Sequence, residues 1–307
     1  MNRLDWLKAR KSGIGGSDAP CVCGVSPWGT PLDIYLSKIQ PIRPDYDPDA
    51  DQSEQQMMGH VMEPVIARLY AKETGMALFK PPAIIRHPQL DFLFCSLDYQ
   101  RSQDRFIVEC KNKRFRDGWG ESQSDQVPVD INIQLQHQME CEDVDEAHVA
   151  VLFSGSEFDY FIVERDYEIG AMIIDIEHRF WQHVVNRIPP EPDWAHPNTP
   201  KLIKKLYQKV EPRTIALGDD AVDLVEQYQS FAKHKTESEK AAEFTKAQLL
   251  AMMGEASEAT LPNGLTLTRK TIEKVSFVMP ASSYVDFRVK KPSTKKPAKE
   301  RTVAANE

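Results

Sequence analysis

Apolar positions in this chain change period several times, and each change predicts an element. Between Met57 and Thr74, the residues Met58, Met62, Val65, Ile66, Leu69 and Tyr70 recur at helical spacing. That predicts a long helix closed by Gly75 as its C′ glycine, with Pro64 either kinking it or opening its regular part. Residues 83–87 and 91–98 read as strands, followed by a turn over 100–105. From Phe106 to Lys111 the period is two: Phe106, Val108 and Cys110 share one face, and Ile107, Glu109 and Lys111 the other. A helix is expected over Asp130–Cys141, with Ile131, Leu135 and Met139 on one side. Strands are expected over 147–153 and 158–164, joined by Ser154-Gly155-Ser156, and an amphipathic helix over Tyr167–Arg187, ended by Pro189, Pro190 and Pro192. Near the start, residues 1–12 read as a short helix. Gly13 to Asp18 read as a turn with Asp18 as N-cap of a short helix over 19–23, Pro31–Lys38 as a further helix, and 40–53 as a surface loop. Helices interleaved with strand groups predict an α/β or α+β fold with a mixed sheet.

Beyond residue 195 the pattern weakens. Asp219–Gly254 reads as a long polar helix, and 260–268 and 271–279 as strands; from Lys290 the chain is Lys/Pro/Ala-rich and reads as a disordered basic tail. The expected organisation is a core over 1–194, an accessory helix and strand region over 195–289, and a tail over 290–307. No apolar run approaches the roughly 20 residues of a bilayer span, and the first residues lack a signal-peptide core, so a soluble cytoplasmic protein without a membrane partner is expected. The five cysteines include no CxxC pair, so reduced thiols and no iron–sulfur cluster are expected. A net charge of −8 argues at first against a nucleic-acid partner, yet bulk acidity says little about a local basic groove. Positive residues do cluster, at Lys8, Arg10 and Lys11, at Lys111 to Arg116, at Lys201 to Lys205, and from Lys290 to Arg301.

The candidate chemistry starts at Glu109-Cys110-Lys111. Residues two apart on a strand point the same way, so a carboxylate and an ammonium project side by side. A hairpin can bring Asp98 beside Glu109. Two carboxylates and a lysine in one pocket suit Mg²⁺, a hard ion that takes oxygen ligands and keeps waters. Glu63, at the edge of the long helix's buried face, can add a third acidic group. Gln134 and Gln138 lie four apart on one helix face and, with His137, form a polar stripe that could hold a phosphate or a catalytic water. Arg10, with the Gly-rich turn opening into a helix at Ser17, makes a candidate anion site. Arg10 is expected to add little to folding. No G-x-x-x-x-G-K-[ST] sequence is present, which argues against a nucleoside triphosphatase.

In order, these pieces resemble the YqaJ-type viral recombinase family, kin of lambda exonuclease within the PD-(D/E)XK nucleases. The resemblance rests on Arg10 with Gly13 to Asp18, Ser26-Pro27-Trp28, Thr30-Pro31-Leu32, Gly59 to Pro64, Ser96-Leu97-Asp98, Glu109-Cys110-Lys111, Gln134 to Met139 and Val149 to Leu152, and covers about residues 5–188. It implies a restriction-endonuclease-like core with a mixed central sheet flanked by helices and a helical and β C-terminal extension. It implies two Mg²⁺ or Mn²⁺ ions and 5′-to-3′ digestion of one strand of linear duplex DNA, in phage-type recombination within the host cytoplasm. It also implies a ring-shaped trimer and a single-strand annealing protein as partner. Glu63, Asp98, Glu109, Lys111 and Gln134 match its catalytic positions. The metal ligands it implies are Asp98, Glu109, Glu63 and the backbone carbonyl of Cys110. Arg10, Ser17 and Gln138 are the implied DNA or phosphate contacts. Leu97-Asp98-Tyr99 departs from the family's Pro-Asp-Gly and alters the turn while keeping the carboxylate. Two other readings stay open: an endonuclease of the same superfamily, and a catalytically silent DNA-binding scaffold.

Overall fold

A computed structural model describes residues 3–43, 46–47, 53–273 and 285–289. Residues 1–206 form one compact unit and 207–307 another. The first unit therefore runs past the boundary expected after residue 194. The extra piece is a short helix whose Leu202 is buried in the core.

In the first unit the order is α1 (Arg3–Arg10), α2 (Ala19–Val22), α3 (Pro31–Ile39), α4 (Glu54–Thr74), β1 (Leu78–Phe79), β2 (Ile85–Arg86), β3 (Phe94–Cys95), β4 (Tyr99–Arg101), β5 (Ile107–Lys113), α5 (Val129–Glu142), β6 (Glu146–Phe153), β7 (Glu157–Glu164), α6 (Tyr167–Asn186) and α7 (Thr199–Leu206). The expected mixed sheet flanked by helices is present. Its strand order is β1-β4-β5-β6-β7, with β5 and β6 parallel and the other pairs antiparallel. Parallel neighbours need a crossover, and α5 supplies it. Two apolar layers sandwich the sheet. Ile107, Val149 and Val151 pack with Ile131, Leu135 and Met139 of α5 and Phe180 of α6, while Val108, Ala150 and Leu152 pack with Ile66 and Tyr70 of α4. The period-two pattern of β5 is thus divided between two cores, and Glu109 faces α5.

Local signals explain most boundaries. Ser53 and Gln56 form a capping box that starts α4 ahead of the expected Met57, and Gly75 ends it with φ of 70°. Pro64 lies inside the helix. Thr30 and Asp33 box the start of α3, and Asp166 caps α6.

Three expectations need correction. Residues 83–87 and 91–98 contribute only β2 and β3, a separate two-stranded pair. The strand beside β5 is β4, which overlaps the start of the stretch expected to turn. β5 also continues to Lys113, because all of its residues through Lys113 pair with β6.

The second unit holds α8 (Asp220–Met253), β8 (Glu258–Thr260) and β9 (Thr266–Thr268). The single strand expected over 260–268 is a hairpin with Gly264 at φ 84° in its loop. Of the strand expected over 271–279, residues 271–273 are not in a strand, and the rest, like the tail from Lys290, lies outside the described residues.

Candidate active site

Asp98, immediately before β4, is brought to β5 by the pairing of Tyr99 with Val108. Its Oδ2 accepts the Cys110 N–H at 2.9 Å. Glu109 is 5% exposed and is held from three directions. Its Oε1 accepts from Lys111 Nζ and from Gln134 Nε2, each at 2.8 Å, and its Oε2 accepts from Gln138 Nε2 at 3.0 Å. Lys111 also donates to Gln134 Oε1 at 2.9 Å. Lysine, glutamate and glutamine therefore close a three-membered ring of hydrogen bonds, which fixes the ammonium and the carboxylate together.

The electrostatics are those of crowded acids. Burial and the neighbouring Glu109 and Glu63 push the Asp98 carboxyl well above the ordinary carboxylate range, only partly offset by the Cys110 N–H and by Lys111. Burial works against the charged form of Lys111, but Glu109 outweighs it and raises that pKa. Glu63 sits in the same cavity, where Lys80 Nζ donates to its Oε1 at 2.6 Å. Lys80 has no sequence signal beyond its place before Pro81 and Pro82, and was not anticipated.

At the other end of the cavity Arg10 donates to Ser17 Oγ at 3.0 Å and pairs with Asp18. Its guanidinium lies 4.9 Å from the centre of the Trp6 ring. Asp18 holds the expected N-cap position, but its side chain makes no capping hydrogen bond. It is buried, takes the Gly15 N–H at 3.1 Å and binds Lys38 Nζ at 2.6 Å. Burial would raise its pKa, but Arg10 and Lys38 outweigh that and hold it at about 2. The Gly-rich turn also differs from the expected anion nest. A Cβ on Gly13 would lie 2.2 Å from the Phe92 carbonyl oxygen, and Ile14 pairs with the backbone on both sides of Leu93. Close strand approach explains this glycine. α2 spans only four residues, too few to supply a helix-end anion site. What remains of the expected site is side chains, Arg10 and the exposed Ser17.

Two further expectations shift. Gln138 is 1% exposed and binds Glu109, so it is not placed to contact DNA. His137 is equally buried: its Nδ1 meets Glu177 at 2.7 Å and its Nε2 meets the Phe94 carbonyl at 2.8 Å.

One cavity of about 730 Å³ unites the two ends. Arg10, Gly15, Gly16 and Ser17 line it together with Glu63, Lys80, Asp98, Glu109, Lys111 and Gln134. Among the described residues, no three His, Cys, Asp or Glu side chains form a metal cage. The donor set that fits a divalent ion is instead two carboxylates, Asp98 and Glu109, completed by backbone and water oxygens, as Mg²⁺ commonly takes.

Residues 5–145 match the family described as the YqaJ-like viral recombinase domain. The chain is 27% identical over 266 residues to the uncharacterised protein YqaJ of Bacillus subtilis (strain 168), covering 86% of this chain and 82% of that protein. Among solved structures, an alkaline exonuclease from Laribacter hongkongensis matches 60% of this chain and 94% of its own, at 17% identity and a TM-score of 0.46. A phage related exonuclease from Haemophilus somnus matches 57% and 96%, at 11% identity and a TM-score of 0.42. The YqaJ-like segment contains every residue placed in the cavity. Among the described residues, no helix is long and apolar enough to cross a membrane.

Proposed function

We propose that this YqaJ-like protein is a divalent-metal-dependent DNA exonuclease of the PD-(D/E)XK type, acting on the ends of linear duplex DNA. The observation that carries the reading is the single cavity shared by Arg10 and Ser17 and by Asp98, Glu109 and Lys111. A terminal phosphate fits the first pair by charge and hydrogen bonding, and a scissile phosphodiester fits the second group.

Asp98 and Glu109 would hold the ion, with the Cys110 carbonyl beside them. When bound, Mg²⁺ or Mn²⁺ supplies an activated water and neutralises phosphate charge. Burial, with the repulsion of Glu109 and Glu63, raises the Asp98 pKa in the free protein. Lys111, pinned between Glu109 and Gln134, presents an ammonium that can orient the attacking water or meet charge developing on phosphate oxygens. Gln134 and Gln138 keep the Glu109 carboxylate in one orientation, the usual part of groups behind a metal ligand. Glu63 completes the acidic group beside Asp98, with Lys80 held on its Oε1.

The family likeness further favours 5′-to-3′ polarity, a second ion, a ring-shaped trimer and an annealing-protein partner. It also favours a core, accessory region and basic tail working together in phage-type recombination in the host cytoplasm. The test compares end-labelled linear duplex with covalently closed circular duplex, with Mg²⁺ and with chelator. Mg²⁺-dependent loss of the linear form alone supports the proposal. Cutting of the circle supports the endonuclease reading, and no cutting of either supports a binding scaffold.

A further inference from the structure

The stretch from Ala19 to Leu32 holds Ser26-Pro27-Trp28 and Thr30-Pro31-Leu32, and nothing in the proposed chemistry uses it. Trp28 is 78% exposed. A single apolar side chain on a loose loop needs no explanation, but this loop is tightly built. The Val25 and Ser26 N–H groups both donate to the Pro20 carbonyl, at 3.0 and 3.1 Å. Gly24 turns the chain with φ of 72°. The Trp28 N–H donates to Ser26 Oγ at 3.2 Å. Gly29 packs so closely that a Cβ there would lie 3.2 Å from Cys21 Sγ, and the Thr30–Asp33 capping box fixes the start of α3. Ala19, Pro20 and Val22 of α2 are buried. A firmly anchored backbone thus holds an indole out in water.

Two observations identify what the ring meets. The first is position. The loop folds back onto Pro20, three residues after Ser17, so Trp28 lies within about 20 Å of the Arg10–Ser17 end of the cavity. That is about six nucleotide steps of roughly 3.4 Å. The second is charge. No charged residue occurs between Asp18 and Asp33, so this edge offers no cation to a phosphate and an uncharged aromatic face to a base. A base inside a duplex hides its face against its neighbours, whereas an unpaired base shows it. A tryptophan ring suits such a base, because every base has a π face to stack.

We propose that Trp28 stacks on an unpaired base of the strand that remains beside the digested end. The inference rests on the exonuclease reading, in which digestion of one strand leaves its complement single-stranded next to the terminus held at Arg10 and Ser17. Trp28 grips that product strand while the cavity works on the other, so the protein holds a tailed end better than a blunt one. The ring touches no reacting atom; it is a binding residue and not a catalytic one.

The experiment measures binding by the full chain in chelator, so that no cutting is needed. The probes are a blunt duplex and a duplex with a recessed 5′-phosphorylated end beside a tail of about ten unpaired nucleotides, long enough to reach the ring. The wild-type chain should bind the tailed duplex more tightly. Trp28→Ala should lose about tenfold on the tailed duplex and little on the blunt one, with its melting temperature unchanged. Trp28→Phe should keep most of the affinity and Trp28→Leu little, since leucine has bulk but no ring. Tailed DNA should also quench wild-type tryptophan emission by an amount that Trp28→Phe removes. Equal losses on the two duplexes would overturn the proposal, as would a leucine variant as good as the phenylalanine one. So would a Trp28→Ala chain whose mass in solution differs from wild type, because the ring would then belong to a contact between copies. Cutting of linear duplex with no effect of Trp28 on tail binding sinks this inference alone. A tail preference that depends on Trp28 in a chain that never cuts sinks the exonuclease reading and leaves the stacking in place.

Discussion

Each compact unit contains a lysine paired with a glutamate on its own element, and the two pairs have little else in common. Lys111 and Glu109 sit two apart on β5 at 2.8 Å, with side chains 20% and 7% exposed. Lys235 and Glu239 sit four apart on α8 at 3.8 Å, with side chains 75% and 65% exposed. The second kind of pair is worth roughly 0–1 kcal/mol and can be lost without harm to the fold. In the first, each charge depends on partners because water has been excluded, and stripping one partner from such a pair costs on the order of 3–5 kcal/mol. The difference lies in the backbone. A strand between two helical layers drives alternate side chains into an enclosed place, whereas a lone helix leaves every side chain in water. Identical residue types are therefore locked together by burial in one unit and only loosely paired in water in the other.

The sharpest test removes charge from each pair in turn. Asp98→Asn and Glu109→Gln should each lower the cleavage rate by roughly 10³-fold, several kcal/mol of barrier, while end-labelled DNA still binds. Glu239→Gln should leave the rate per chain unchanged. Single-turnover rates at saturating Mg²⁺ decide it, and a Glu109→Gln enzyme near the wild-type rate would remove that carboxylate from the site.

Next in size, Lys111→Ala should cost about 10²–10³-fold, and Lys113→Ala far less. Both lie on β5 and both alternate onto the face of Glu109. Only Lys111 lines the cavity and binds Glu109. Burial and the nearby Lys111 lower the pKa of Lys113, so it is less suited to hold a fixed positive charge. Rates for the two variants, measured across a salt series, separate a catalytic contact from general DNA attraction. Equal losses would count against Lys111.

How much of this was legible follows the same divide. Glu109 and Lys111 could be read because period two is a property of neighbours in sequence, and α4, α5 and α6 because their apolar stripes are. Asp18 could not. Ser17-Asp18 after two glycines reads as a cap, and nothing local announces that Arg10 and Lys38 will converge on it from two other helices. Lys38 was read only as the last residue of the expected helix, and Gln138 as part of a polar stripe. Both are buried because their partners come from elements far along the chain. β4 was hidden for a related reason. Its Tyr99-Gln100-Arg101 is polar, and pairing with β5, not its own composition, makes it a strand.

Arg10 gives a middle-sized effect, and here the structure changes the expectation. An Arg10 that only read DNA would leave stability untouched. Since it shares Asp18 with Lys38, Arg10→Ala leaves a buried carboxylate with one cation, and should cost about 1–2 kcal/mol. It should also slow digestion of 5′-phosphorylated ends and narrow their advantage over 5′-hydroxyl ends by about tenfold. Denaturation at neutral pH and paired end-substrate assays check the two parts separately. An equal loss on both kinds of end makes Arg10 a general DNA contact.

The smallest effect contrasts two histidine–glutamate pairs. His234 and Glu237 lie 3.8 Å apart on α8 in open water; His137 and Glu177 lie 2.7 Å apart with side chains 1% and 0% exposed. Burial alone would lower the His137 pKa, but Glu177 outweighs it and, with the Phe94 carbonyl, raises it to about 9. An unfolded histidine titrates near 6.5. Between these values the folded chain holds a proton that the unfolded chain has released, so stability must fall as pH rises. The contribution is complete below about pH 6.5 and is lost by the time pH has passed about 9. The melting temperature of the first unit should therefore drop by several degrees across that window. Glu177→Gln removes the attraction that raises the pKa and should flatten the slope, while His234→Gln should leave it as it was. A slope unchanged by Glu177→Gln would mean that another group carries the pH dependence, and that burying a charge pair in this unit does less than the geometry indicates.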